Sequence, residues 1–181
     1  MNNATKNLED DHIYVLKLID VMRAVTRSEK PDIKHIEEII DIIRNFADGL
    51  HHAKEENLFF PALESKGFSA QQGPVAVMLH EHIKGRNFVK GIVDNLELYN
   101  KGNKAALEKV YQNMSGYSDL LVNHITKENN ILFRMADNVL SEIEQKSLAE
   151  QFETMEQNRQ AGARVIDYIN RINTLALSYK L

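Results

Sequence analysis

The stretch LHHAKEENLFF, residues 50–60, occurs again in altered form as NHITKENNILF, residues 123–133. The two copies share a His, a Lys, a Glu, an Asn and a Phe in register, at an offset of 73 residues (124 − 51 = 73). In each copy the shared histidine precedes the shared glutamate by four positions, so on a helix both side chains lie on one face, one turn apart. The repeat predicts two helices that each carry one half of a common site.

The spacing of apolar residues outside the repeat also indicates helices. The chain has only three prolines and eight glycines, and the apolar residues between them recur at steps of three and four. We expect helices over about 6–26, from Pro31 to just before Pro61, from Pro74, and from about Lys104. The sequence therefore predicts an all-α fold: an up-down-up-down four-helix bundle over about 6–138 with a pseudo-two-fold repeat.

A fifth helix is expected after the bundle, over about 141–179. Ser141 and Glu144 have the spacing of a capping box, which satisfies backbone N–H groups at a helix start. The helix should continue or kink through Gly162 toward Tyr179. We interpret residues 1–181 as one domain, because 181 residues with 43% hydrophobic content suffice to bury one core.

The composition narrows the possible functions. There is no cysteine, which excludes disulfides, thiolate metal sites and cysteine nucleophiles. The net charge is −4 and charges of both signs are interspersed, so we expect no nucleic-acid or membrane partner. The first residues lack the basic and apolar regions of a signal peptide, and a cytoplasmic location is expected.

Two further histidines lie on inward-facing stripes of the other two bundle helices. His12 and His82 are separated by 70 residues (82 − 12 = 70), and each follows an acidic residue. The four bundle helices should therefore bring six polar side chains together: His12, His51, Glu55, His82, His124 and Glu128.

Six buried polar groups are costly unless a cation pairs them. Imidazole and carboxylate without sulfur suit iron, zinc or manganese. Two glutamates that bridge two ions, with histidines at the outer positions, are an arrangement that helical bundles use for di-iron chemistry.

The sequence resembles the hemerythrin-like, HHE cation-binding family. The resemblance lies in DDH at residues 10–12, HHAKEENLFFPAL at 51–63, EHIKGR at 81–86 and NHITKENNILF at 123–133. It implies a four-helix bundle with two iron ions, oxo- or hydroxo-bridged, for which zinc or manganese could substitute. The implied ligands are the six residues named above.

The chain departs from the oxygen-carrying members at two positions. Arg86 stands where they have a fifth histidine, and Asn129 stands where they have an aspartate, so Glu128 must supply that carboxylate. Four histidines and two glutamates would form a more symmetric centre with open positions on both ions. Open positions favour reaction over simple carriage.

The resulting hypothesis is a non-haem di-iron protein that binds and reacts with oxygen, nitric oxide or hydrogen peroxide. As an enzyme it would be peroxidase-like, catalase-like or another oxidoreductase, and no residue stands out as a separate nucleophile or base. The alternative is an iron store, an iron donor for cluster repair, or a gas sensor. The ligand would be a small diatomic molecule or peroxide, and the protein a monomer or homodimer.

Several residues near these motifs have open roles. His80 should point away from His82, and His52, rotated by about 100° from His51, should lie at most around the site or at the surface. In a register shifted by one residue, Glu56 would pair with His52, but the second copy has Asn and Ile at the matching positions 129 and 125.

Four more side chains have two readings each. Tyr117 could donate a hydrogen bond at the site or pack in the core, and Arg86 could supply a counter-charge or extend to solvent. Glu153 and Glu156 could approach the metals, although a solvated helix face is favoured. Lys54 and Lys127 also repeat, without an assigned role.

Overall fold

The computed structural model describes residues 3–28, 30–158 and 164–181. These residues form six helices and no strand, which confirms the all-α prediction. The helices are α1 (Ala4–Thr26), α2 (from Ile33–Ile42 through to Phe60–Glu64), α3 (Gly73–Asn100), α4 (from Ala106–Lys127 through to Phe133–Val139), α5 (Glu142–Gln157) and α6 (Val165–Ser178).

Helices α2 and α4 contain π-helical segments, in which the turns are wider than in an α-helix. In α2 they cover Ile43–His52 and Glu55–Phe59, and in α4 the segment is Glu128–Leu132. The expected end of the second helix before Pro61 was wrong, because the helix continues to Glu64. The π turn directly before Pro61 gives its ring room that a regular α-helical turn would not.

The helix ends have side-chain caps where the sequence offers them. Asn3 accepts from the backbone N–H of Lys6 at the start of α1. Asp32 caps α2, so this helix begins at Ile33 and not at Pro31 as expected. Both halves of the predicted capping box are present at Ser141. The predicted passage of the fifth helix through Gly162 lies outside the described residues.

A layer of buried polar side chains separates the two apolar clusters of the core. This polar layer includes His12, His51, Glu55, His82, His124 and Glu128. One cluster includes Val15, Leu50, Val89 and Ile125, and the other includes residues such as Leu8, Phe59, Met78 and Phe133. Each bundle helix thus runs from one cluster to the other, and its direction alternates from helix to helix along the chain. This alternation is the predicted up-down-up-down arrangement.

The two C-terminal helices each cover one half of the bundle. Helix α5 contributes Leu148 and Phe152 to the cluster around Phe59, and α6 contributes Ile172 and Leu175 to the other cluster. The polar layer lies between the two clusters, so apolar side chains separate it from solvent at both ends. None of the described helices is long and apolar enough to span a membrane.

Candidate metal centre

All six side chains predicted to form the site lie in the polar layer. Each is at most 2% exposed. They fall into two adjoining groups, and in each group one ligand atom per residue lies within 4.8 Å of the others. The first group is His12, His51, Glu55 and Glu128; the second is His52, His82, His124 and Glu55.

The imidazole nitrogens have the spacing of atoms that share one ion. The Nε2 atoms of His12 and His51 are 3.0 Å apart, and those of His82 and His124 are 3.2 Å apart. Two nitrogens at about 2.1 Å from an ion and at right angles to one another would lie about 3.0 Å apart. Each pair therefore has the right spacing to bind one metal ion of its own.

The two glutamates lie between the groups. The Oε1 atom of Glu55 is 3.5 Å from His51 Nε2 and its Oε2 atom is 3.3 Å from His82 Nε2. The Oε2 atom of Glu128 lies 3.2 Å from His12 Nε2 and 3.3 Å from His124 Nε2. Each carboxylate thus contacts histidines of both groups, as a bridging ligand must.

None of the four oxygen atoms of Glu55 and Glu128 has a hydrogen-bond partner among the described residues, although all four are buried. The contacts to histidine are close enough for ion pairing but are not aligned as hydrogen bonds. Burial alone raises the pKa of Glu55, but the charges of His51 and His82 outweigh it, and the pKa lies well below its usual value. Ionised buried carboxylates without donors need a cation, and the residues present fit a metal pair.

His52 is the residue whose position differs most from the one expected from the sequence. It is only 3% exposed, it belongs to the second group, and its ring stacks on His82 with centroids 3.9 Å apart. The wider turn of the π segment Ile43–His52 reduces the angle between successive side chains, so His51 and His52 both face the layer. The expected peripheral or surface position of His52 was therefore wrong: it adds a third histidine to the second group, while the first group has two.

The outer nitrogen of every histidine in the two groups is held by an oxygen acceptor. Each Nδ1–H donates to a side-chain oxygen, so Nε2 faces inward and becomes a ligand atom when the ring is neutral. The pairs are His12 with Asn129 (2.7 Å), His51 with Asp11 (3.3 Å), His52 with Asp48 (3.1 Å), His82 with Glu56 (2.7 Å) and His124 with Glu81 (3.0 Å).

These outer contacts follow the repeat but are not identical in the two halves. His12 and His82 correspond, and so do their acceptors Asn129 and Glu56 (129 − 56 = 73). One histidine therefore has a neutral amide acceptor where its counterpart has a carboxylate. A carboxylate raises the basicity of its histidine more than an amide does.

The repeated lysines, Lys54 and Lys127, each donate to a carboxylate that accepts from a histidine of the site. Lys54 donates to Asp11 Oδ2 over 2.8 Å, and Lys127 donates to Glu81. Burial raises the pKa of Glu81, but its hydrogen bonds from His124 and Lys127 outweigh burial and lower the pKa to about 2. Each lysine thus keeps a histidine acceptor ionised.

Arg86 and Glu56 also belong to this outer layer. Arg86 donates to Asp48 and to Glu56, both over 2.8 Å, and so joins the acceptors of His52 and His82. Glu56 pairs with His82, which rules out the alternative register in which it would pair with His52. His80 is exposed, as expected.

A cavity of about 140 Å³ borders the second group from the outside. Its lining includes His52, Asp48, Arg86 and Tyr117. The Tyr117 side chain is 2% exposed and belongs to an apolar cluster, and among the described residues its phenol has no hydrogen-bond partner. Burial raises the pKa of the Tyr117 phenol, which is therefore protonated at neutral pH.

Fold and site together define a helical-bundle protein with a metal-binding site of buried histidines and glutamates. The sequence model of the Hemerythrin HHE cation binding domain matches residues 3–136. The chain belongs to this family, and the family indicates a metal-binding site where the two groups lie.

The chain is similar to proteins of several bacteria, among them iron-sulfur cluster repair proteins. An uncharacterized protein of Mycobacterium tuberculosis (strain ATCC 25618 / H37Rv) is 23% identical over 173 residues, covering 93% of this chain and 67% of the relative. The iron-sulfur cluster repair protein YtfE of Escherichia coli O157:H7 is 31% identical over 88 residues, 48% of this chain and 40% of that protein. YtfE of Edwardsiella ictaluri (strain 93-146) is 30% identical over 100 residues, 54% of this chain and 44% of that protein. No solved structure matches.

Proposed function

We propose that the chain binds two iron ions, one in each group, and reacts with a small oxidant or gas: oxygen, nitric oxide or hydrogen peroxide. One observation supports this more than any other. Two buried carboxylates lie between two sets of imidazoles, and in the part of the chain that the structure describes none of their four oxygen atoms has a hydrogen-bond partner. The donor set contains nitrogen and oxygen without sulfur, which suits iron. Bound iron would supply electron transfer and an exchangeable coordination position.

The protein residues would hold the ions in fixed geometry and keep bulk water out. The Nδ1 bonds orient all five imidazoles, so little rearrangement is needed when a ligand arrives. Glu55 and Glu128 contact both groups and would keep the two ions at a fixed separation. The apolar clusters on either side of the layer limit access to molecules that are small.

The unequal groups favour the first one as the place of reaction. The first group has two histidines and the second has three, while Glu55 and Glu128 contact both. An ion with fewer protein ligands has more positions for an external molecule. We therefore assign the oxidant or gas to the group of His12 and His51.

The test is metal content together with an optical spectrum on protein purified from iron-supplemented cells, before and after peroxide is added. We expect about two irons per chain and a near-ultraviolet band of a bridged iron pair that changes reversibly. One zinc per chain, or iron whose spectrum ignores peroxide, oxygen and nitric oxide alike, would contradict the proposal.

Similarity to YtfE supports a second candidate, an iron store or donor for cluster repair. The similarity covers about half of this chain and less than half of those relatives. A donor should lose iron readily to a mild chelator and pass it to a metal-free iron-sulfur protein. A protein that reacts with oxidants should keep its iron through many cycles of peroxide addition. Chelator release rates measured before and after such cycles separate the two.

A further inference from the structure

Helix α5 lies outside residues 3–136, the part of the chain that matches the family, yet it contacts the layer around the metal groups. Glu156 near its C-terminal end places Oε1 2.5 Å from Lys54 Nζ. The Lys54 side chain is fully buried, and its ammonium group lies 5.8 Å from the centre of the Phe152 ring, also on α5. Helix α5 therefore surrounds a buried cation that belongs to the bundle.

Lys54 is joined to the first metal group through one shared atom. The Oδ2 atom of Asp11 accepts from Lys54 Nζ over 2.8 Å and from His51 Nδ1 over 3.3 Å. Two donors thus compete for one oxygen, and the ammonium is the closer of the two. Glu156 neutralises part of the Lys54 charge and so limits its pull on Asp11.

The other half of the repeat has no such competition. Glu81 receives Lys127 on Oε1 and His124 on Oε2, so the two donors use different oxygens. The Lys127 side chain is 34% exposed, and Glu81 is its one carboxylate partner among the described residues. Solvent can screen Lys127, whereas the fully buried Lys54 depends on protein acceptors: the carboxylates of Asp11 and Glu156, and the amide oxygen of Asn7 at 2.9 Å.

We propose that Glu156 is a positioning residue for His51: through Lys54 it keeps Asp11 available to orient the imidazole at the first metal group. The inference rests on the proposed function only in requiring that a metal binds there. The inference makes α5 part of the metal centre, although α5 lies beyond the residues that match the family.

The predicted effect of Glu156→Gln is confined to the first group. Without the Glu156 charge, Lys54 draws Asp11 Oδ2 closer, and the His51 bond, already 3.3 Å long, weakens further. A histidine whose outer hydrogen bond is lost typically binds metal 10–100-fold more weakly, and this indirect loss should cost about 10-fold. The second group should keep its affinity.

The experiment measures cobalt or zinc binding by metal-free protein in two backgrounds. In His82→Gln only the first group remains intact, and there Glu156→Gln should lower affinity about 10-fold. In His51→Gln only the second group remains intact, and there it should change nothing. Glu150→Gln, an exposed change on the same helix, is the matched control. An equal loss in both backgrounds, or no loss in either, would overturn the proposal.

Two further measurements keep the test independent of iron chemistry and of folding. The ¹⁵N and ¹H shifts of His51 Nδ1–H in the metal-free protein report its bond to Asp11 directly, and Glu156→Gln should move them toward a weaker bond. With Lys54→Met in place, Glu156→Gln should have no further effect on these shifts. Unchanged shifts would refute the positioning role, while absence of metal binding in the wild type would refute only the proposed function.

Discussion

The substitution His52→Gln tests the division of five histidines into two and three. In the wild type, Asp48 accepts from His52 Nδ1 over 3.1 Å. Glutamine keeps a donor for Asp48 but removes the imidazole from the second group. At free metal about 100-fold above Kd, each ion should stabilise the fold by about 2.7 kcal/mol. For a chain of this size about 1 kcal/mol shifts Tm by roughly 2–4 °C, so each ion should add about 5–11 °C.

The assay compares Tm with and without metal, so that any cost of the substitution to the metal-free fold cancels. Two ions should raise the wild-type Tm by about 11–22 °C, and His52→Gln should show about half of that rise together with roughly one tightly bound ion. His80→Gln, an exposed histidine on α3, is the control and should behave as wild type. A full metal-induced rise in His52→Gln would refute the ligand role and restore the symmetric four-histidine centre.

Three further predictions concern protons and the outer layer. Burial lowers the pKa of His82, but its glutamate partners outweigh burial and raise the pKa to about 9. The contribution of His82 to the stability of the metal-free protein is therefore complete below about pH 6.5 and is lost as the pH rises through 9. Metal binding at pH 7.5 should therefore release a proton; calorimetry in buffers of different ionisation enthalpy would contradict this if it found none. Lys54→Met leaves Asp11 and Glu156 without their buried cation and should cost about 3–5 kcal/mol in urea unfolding, and a loss below about 1 kcal/mol would contradict the structure. Arg86 is 42% exposed, so Arg86→Gln should change stability by less than about 1 kcal/mol yet weaken metal binding at the second group about 10-fold, and unchanged binding would show that its contacts are incidental.

Much of the fold and of the site could be predicted because the repeated motif and the helix periodicity are visible in the sequence. The i to i+4 spacing of His51 and Glu55 and the apolar stripes around His12 depend only on helix periodicity, and periodicity can be read from a single sequence. The same applies to the capping box at Ser141. The two buried groups arise where these periodic features meet in the bundle.

What could not be predicted depends on departures from α-helical geometry. Sequence periodicity assumes a fixed angle between neighbours, and the π segments change that angle where His52 and Pro61 lie. A signal for His52 was nevertheless present, because Asp48 precedes it by four residues and is its acceptor. The competition at Asp11 could not be foreseen, since it depends on which carboxylate oxygen each donor reaches.

The second π segment of α2, Glu55–Phe59, and the π segment of α4, Glu128–Leu132, occupy corresponding positions of the repeat. In both halves the π segment begins at the glutamate of the site, Glu55 or Glu128, whose carbonyl accepts from the N–H five residues later. A π turn inside an α-helix is rare and is frequently found at a functional site. Its recurrence at the same register in both copies places a π turn at each of the two glutamates of the site. The two halves differ at His52, where the second copy has Ile125, and at Glu56, where it has Asn129. With two ions bound as proposed above, these two differences would give the ions unequal sets of protein ligands.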